Sequence, residues 1–202
     1  MRVMQRDATA VASDAEIIER SWLDPEQFAV LFDRHAPVIH RYAARRIGRD
    51  AADDLVAETF LAAFGKRLRY DREHPDARPW LYGIATKLVG QHRRDEHRQY
   101  RILQAAIPDP DLPGHDEQIA ADQTARSLRH HLATAIADLP DNDRDVLILV
   151  AWEQLSYDEA ARALVIPVGT VRSRLSRARS RIRAALAADG SSDTIREILS
   201  NE

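Results

Sequence analysis

Apolar residues recur at helical spacing along this chain, and the recurrences mark out its elements. Phe28, Leu31, Phe32 and His35, then Ile39, Tyr42 and Ala43, describe one face of a helix. Asp24-Pro25-Glu26-Gln27 carries its start signals: an Asp cap, proline at the first helical position and Gln three after the cap. Pro37 interrupts the run and predicts a kink or a split. Gly48 predicts the end. Asp50 opens a second helix with Leu55, Val56, Thr59, Phe60 and Ala63 inward, and Gly65 closes it. A basic loop follows, with Lys66, Arg67, Arg69, Tyr70, Arg72 and His74. Asp76 and Pro79 then open a long helix with Leu81, Ile84, Ala85, Leu88 and Val89 inward, running out through residues 91–98.

The pattern breaks after Ile107. Residues 107–117 hold three prolines, a glycine and four acids, which form neither a helix nor a packed strand. Helical spacing resumes around Ser127 to Asp138. Asp141 to Asp145 cap a further helix with Val146, Leu147 and Val150 inside. Ser156-Tyr157-Asp158-Glu159 is a capping box, and it opens a helix, a short turn at Val165-Ile166-Pro167 and a second helix. The expected architecture is therefore all-α, with two small helical domains joined by a flexible linker and a helix-turn-helix in the second. The limits read from the sequence are a loosely ordered lead-in over 1–23, a first domain over 24–102, an acidic proline-rich linker over 103–121, a second domain over 122–188 and a polar tail over 189–202.

Composition narrows the class. The chain is 45% apolar and 30% charged, enough to bury a core, and aromatics make up only 6%, which favours helices over sheets. The net charge is −3, so basic charge is concentrated and offset elsewhere, as in a defined nucleic-acid face. There is no cysteine, which excludes a disulfide scaffold and a Cys-ligated zinc site. No apolar run approaches the roughly 20 residues that span a bilayer, and Met1 to Glu19 has no signal-peptide core. No membrane insertion and a cytoplasmic location are expected.

The basic charge gathers on one helix. Between 172 and 183 lie six arginines interleaved with serine and no acid at all. At about 100° per residue, Val171, Leu175, Ala178 and Ile182 fall in one stripe that faces the core. Ser173, Ser176 and Ser180 point the opposite way. Arg172, Arg179 and Arg183 take one flank, and Arg174, Arg177 and Arg181 the other. Small hydroxyls let a backbone approach the floor of the major groove, and flanking guanidinium groups reach guanine edges or phosphates. The N-terminal portion of such a helix enters the groove. Thr170, Arg172, Ser173, Ser176 and Arg177 are the expected contacts, with Arg181 and Arg183 reaching phosphates or solvent only.

Two motif sets narrow the reading further. Leu139-Pro140 with Arg144, Leu147, Ser156 to Ala161 and Ile166 to Arg179 resembles region 4 of a bacterial RNA polymerase sigma factor. Asp53 to Phe64 resembles region 2.2, and Arg78 to Ala85 resembles the start of the family's promoter-melting region. Two domains with a short linker between resemble the extracytoplasmic-function (ECF) subfamily, over about 24–188. The resemblance implies that Asp54, Leu55 and Glu58 meet the clamp helices of the polymerase beta-prime subunit, and an acidic, apolar patch suits a partner helix with arginines. Ala57 stands where the family usually has Gln. The resemblance also implies that the basic loop and the long helix take the minus-ten element. Single-stranded DNA needs cations for its backbone and π-faces or pockets for its bases. Arg69, Tyr70, Arg72, Arg78, Trp80, Lys87, His92, Arg93 and Arg94 supply such groups; for Trp80, core packing is the stronger expectation. Lys87 and Gln91 depart from the family pattern. The second domain is implied to read the minus-thirty-five element. The implied partners are core RNA polymerase, through the beta-prime clamp helices and the beta flap, promoter DNA, and an anti-sigma factor.

Two other classes fit less well. Asp53, Asp54 and Glu58 share a helix and could bind a divalent metal. No second acidic motif accompanies them, His92 and His97 do not share a face, and no glycine-rich phosphate loop or nucleophile elbow is present. No catalytic residue, metal or cofactor is expected. The alternative is a stand-alone helix-turn-helix regulator that binds operator DNA without polymerase. Such proteins generally dimerise on palindromes, and no heptad zipper is evident here.

Overall fold

The computed structural model describes residues 12–106 and 123–188. Residues 1–11 of the lead-in, residues 107–122 (the rest of the linker and the first position assigned to the second domain) and the tail over 189–202 lie outside the described residues. Eight helices are described: α1 (Asp14–Arg20), α2 (Phe28–Ile47), α3 (Ala52–Lys66), α4 (Arg78–Ala106), α5 (Gln123–Ala137), α6 (Asp141–Ala151), α7 (Tyr157–Leu164) and α8 (Val168–Ala188). Short 3-10 turns cover Pro25–Gln27 and Arg67–Arg69. Among the described residues there is no strand. The chain is all-α and divides into two compact units, Met1–Arg93 and Arg94–Glu202.

In the first unit, α1 replaces part of the expected loose lead-in. Ser13 accepts from the Glu16 N–H at 3.3 Å, and the Glu16 carboxylate accepts from the Ser13 N–H at 2.9 Å. Ile17 and Ile18 are buried. A seven-residue helix is too short for its period to stand out. The Asp14 carboxylate fixes its position. It lies 2.7 Å from His35 Nε2 and accepts from Arg34 Nη1 (2.6 Å) and the Ala77 N–H (2.9 Å), while its own N–H donates to Pro75 O (3.0 Å). Burial pushes this carboxyl up, but the bonds from His35, Ala77 and Arg34 outweigh it and hold it below the ordinary value.

Helix α2 runs unbroken through Pro37. The missing hydrogen bond costs a helix about 3 kcal/mol. Full burial of Leu31, Ile39, Tyr42 and Ala43 on either side offsets it, at about 1.5–3 kcal/mol for each large side chain. Gly48 ends the helix with φ +86°, a conformation that disfavours other residues. α3 then returns antiparallel, with Phe28 on Phe64 (5.3 Å between centroids) and Phe32 on Phe60 (4.8 Å). It opens at Ala52 without a side-chain cap, leaving Asp50 in the turn, and passes through Gly65 to Lys66. α4 runs parallel to α2: Tyr42 meets Tyr82 and Thr86, and Arg93 donates to Arg46 O. α4 extends to Ala106, so the first residues assigned to the linker are helical.

In the second unit α5, α6 and α7 all pack on α8. Val146, Leu149, Leu155, Ala160, Val171, Leu175 and Ala178 form the core. Arg144, expected only as a family landmark, is buried. Its guanidinium donates to the carbonyls of Ile136 (2.9 Å), Ala137 and Leu139 (2.6 Å) at the end of α5. A cation there satisfies orphan carbonyls and opposes the helix dipole.

Candidate nucleic-acid interface

The helix-turn-helix is built from local chemistry. Ser156 and Glu159 form the capping box of α7. The helix ends in a Schellman arrangement: Val165 N–H bonds to Arg162 O and Ile166 N–H to Ala161 O. Val165 takes the left-handed conformation that glycine usually supplies (φ 54°, ψ 50°), and it is 89% exposed. The motif therefore closes without the glycine by straining a β-branched residue.

α8 presents the face its spacing predicts. Of the expected stripe, Val171, Leu175 and Ala178 are buried and Ile182 is half-buried, and Leu186, which was not expected, is buried as well. Arg172, Ser173, Ser176 and Arg177 are exposed and Thr170 is half-buried. The Ser173 hydroxyl donates to Thr170 O at 3.0 Å, which leaves its oxygen as an acceptor. Arg177 differs from the other arginines of the helix. Its Nε and Nη2 bond to the two carboxylate oxygens of Asp143 at 3.4 and 3.1 Å, and Asp143 is 4% exposed. Sequence reasoning missed Asp143, because the pair spans 34 positions and no local signal joins them. Among the described residues, Arg172, Arg174, Arg179, Arg181 and Arg183 have no acid within ion-pair distance.

The residues expected at the minus-ten element fall into two groups. Arg69, Lys87 and Arg94 are exposed. The others are engaged within the protein. Arg72 pairs with Glu19 and sits over the Trp22 ring at 5.1 Å, Arg78 Nε pairs with Asp76 at 3.2 Å, and Arg93 donates to Arg46 O at 3.2 Å. His92 is half-buried. Tyr70 is a correction. It is buried, its hydroxyl donates to His74 O (2.6 Å) and Asp76 O (3.2 Å), and its ring lies 4.9 Å from Trp80. That ring holds the loop together from inside and is not offered to a base. Trp80 is half-buried against it, in line with packing.

The expected polymerase contacts also divide. Asp54 and Glu58 are exposed, but Leu55 is 4% exposed and belongs to the core, because its turn of α3 faces α2. The outward stripe of α3 is Asp53, Asp54, Ala57, Glu58 and Leu61, with Leu61 73% exposed. Leu61 was missed, although it follows Asp54 by seven and Glu58 by three and so shares their face. Of the metal possibilities, Asp14, His35 and Asp76 bring ligand atoms within 4.8 Å of one another. Arg34 already supplies positive charge to Asp14, so the cluster serves as a pin between segments. Among the described residues no helix is long and apolar enough to cross a membrane.

Comparison with known proteins bears on this arrangement directly. The model of sigma-70 region 2 matches residues 31–99, and that of sigma-70 region 4 matches residues 129–182. The probable RNA polymerase sigma-C factor of Mycobacterium bovis is 36% identical over 159 residues, covering 78% of this chain and 80% of that protein. The chain is an ECF sigma factor of the sigma-70 family. SigL of Mycobacterium tuberculosis, an ECF RNA polymerase sigma factor, is 31% identical over 193 residues, 91% of this chain and 96% of that protein. The solved structure of CnrH in complex with the cytosolic domain of CnrY is similar at a TM-score of 0.60 and 27% identity, covering 87% of this chain and 98% of that one. As a sigma factor the chain acts in transcription initiation on core RNA polymerase, in a family whose members are not enzymes.

Proposed function

We propose that this sigma factor divides its work between its two units. The acidic outer stripe of α3, with Asp54, Glu58 and Leu61, docks on the beta-prime clamp helices. Charge complementarity with an arginine-bearing partner supports this reading. The exposed cations Arg69 and Lys87 of the first unit guide the unpaired minus-ten strand, for which cations along a backbone path are the requirement. α8 enters the major groove of the minus-thirty-five element with Thr170, Arg172, Ser173, Ser176 and Arg177, and the second unit also meets the beta flap. The chain performs no bond chemistry of its own and works in the cytoplasm, where it steers polymerase. The observation that carries the reading is the α8 surface, a buried apolar stripe opposite an exposed face of serines and arginines behind a capped turn. A masking partner is part of the proposal, since CnrH is recorded in complex with the cytosolic domain of CnrY.

Run-off transcription with purified core polymerase on genomic promoter fragments tests it. Initiation at defined start points is expected, and Arg172→Ala is expected to weaken promoter binding by about 1–3 kcal/mol. Tight, specific duplex binding by the chain alone, with no stimulation of polymerase, would favour the stand-alone regulator instead.

A further inference from the structure

We propose that Asp143 is a positioning residue for promoter reading: it orients Arg177 so that this arginine reads a guanine edge. The inference rests on the assignment of α8 to the minus-thirty-five element. Asp143 lies in the first turn of α6, is buried, and engages Arg177 along one side of the guanidinium, through Nε and Nη2. The Arg177 side chain stays 54% exposed. The second hydrogen of Nη2 and one hydrogen of Nη1 are therefore left on the terminal edge, and together they form the end-on fork that matches O6 and N7 of guanine. A long side chain normally loses rotamer freedom when it binds. Here the carboxylate has already fixed the fork.

The same contact lowers the attraction of Arg177 for phosphate. Its charge is shared with a buried carboxylate, so the pair is close to neutral. Arg172 and Arg179 on the opposite flank have no such partner among the described residues, and they carry the electrostatic part of binding. Five arginines of this helix thus supply affinity while Arg177 supplies discrimination. A role confined to tying α6 to α8 would change stability and leave base preference alone, which gives the test its leverage.

The experiment uses the full chain bound to core polymerase and a pool of duplex DNA randomised at the minus-thirty-five position. The wild type is expected to select a motif with one strong guanine. Arg177→Ala is expected to lower that preference by about fivefold to a hundredfold and to leave the salt dependence of binding nearly unchanged. Arg172→Ala is expected to lower the salt slope. Asp143→Asn is expected to flatten the same position as Arg177→Ala, with no further loss in the double variant, while affinity for non-selected duplex rises because a cation is released. Arg177→Lys keeps the charge and loses the fork, so it reports on the same position if Asp143→Asn folds poorly. The proposal is overturned if Asp143→Asn or Arg177→Lys leaves the motif intact, if they affect a different position from Arg177→Ala, or if Asp143→Asn lowers selected and non-selected binding alike. A wild-type holoenzyme that selects no motif would instead defeat the assignment of α8 itself, and the inference with it.

Discussion

Leu55 and Leu61 lie six positions apart on α3, and shortening each should have opposite consequences. Leu55 is 4% exposed beneath α2, and Leu61 is 73% exposed beside Glu58. Leu55→Ala removes buried methyl groups and leaves a cavity, which costs about 2–5 kcal/mol. For a unit of this size each kcal/mol moves the melting point by about 4–8 °C, so a fall of about 8–40 °C is expected. Leu61→Ala loses little burial and should stay within about 0.5 kcal/mol of wild type. Scanning calorimetry of the full chain reads the first unit's transition, and gel filtration with core polymerase reads association. Leu61→Ala should melt like wild type and co-elute poorly. Leu55→Ala should melt early, and below its melting point it should still co-elute. If Leu55→Ala melts with the wild type yet fails to co-elute, Leu55 is a docking residue and the division of α3 into inner and outer faces is wrong.

Other perturbations follow from single contacts. Asp14 carries a carboxyl whose folded value lies below its ordinary 3.8, so its contribution is fully present above that value and is lost as pH falls through the lowered one. Acid titration of the first unit followed by circular dichroism should show this loss, and Asp14→Asn should be less stable at neutral pH with a shallower acid limb. Val165→Asn relieves a left-handed β-branched residue that packs on nothing, and should raise the stability of the second unit by about 1 kcal/mol; an unchanged denaturation midpoint would count against strain at this turn. Arg144→Met leaves three carbonyls at the end of α5 without their donor and should cost about 3 kcal/mol or more by urea denaturation.

Most of the fold is legible in the sequence because the signals are local. The spacing of Val171, Leu175 and Ala178 places the buried stripe of α8, and Ser156 with Glu159 marks the start of α7. The failures lie where contacts between distant residues decide. α1 is too short for its two isoleucines to reveal a period, and what holds it is a carboxylate bonded to residues 34, 35 and 77. Pro37 carries a breaking signal, yet burial on both sides of it overrides that signal, and propensity has no access to burial. Tyr70 sits among arginines and reads as a base platform. Only the fold reveals that its ring is turned under the loop onto Trp80.

Arginine shows where sequence reading stops. Counting guanidinium groups identifies a nucleic-acid face, but the count treats unlike groups as equal. Arg144 spends its donors on the carbonyls of α5, Arg67 lies 3.7 Å over the Phe64 ring, and Arg72 is shared between Glu19 and Trp22. None of these can release a counterion on meeting DNA without first breaking a contact inside the protein. The salt dependence of promoter binding should therefore follow the exposed, unpaired arginines of α8 and the exposed cations of the first unit, and should fall short of the slope that the total basic charge suggests. A slope that matched the full count would mean that these internal contacts open on binding, and that the free protein's electrostatic surface is a poor guide to the bound one.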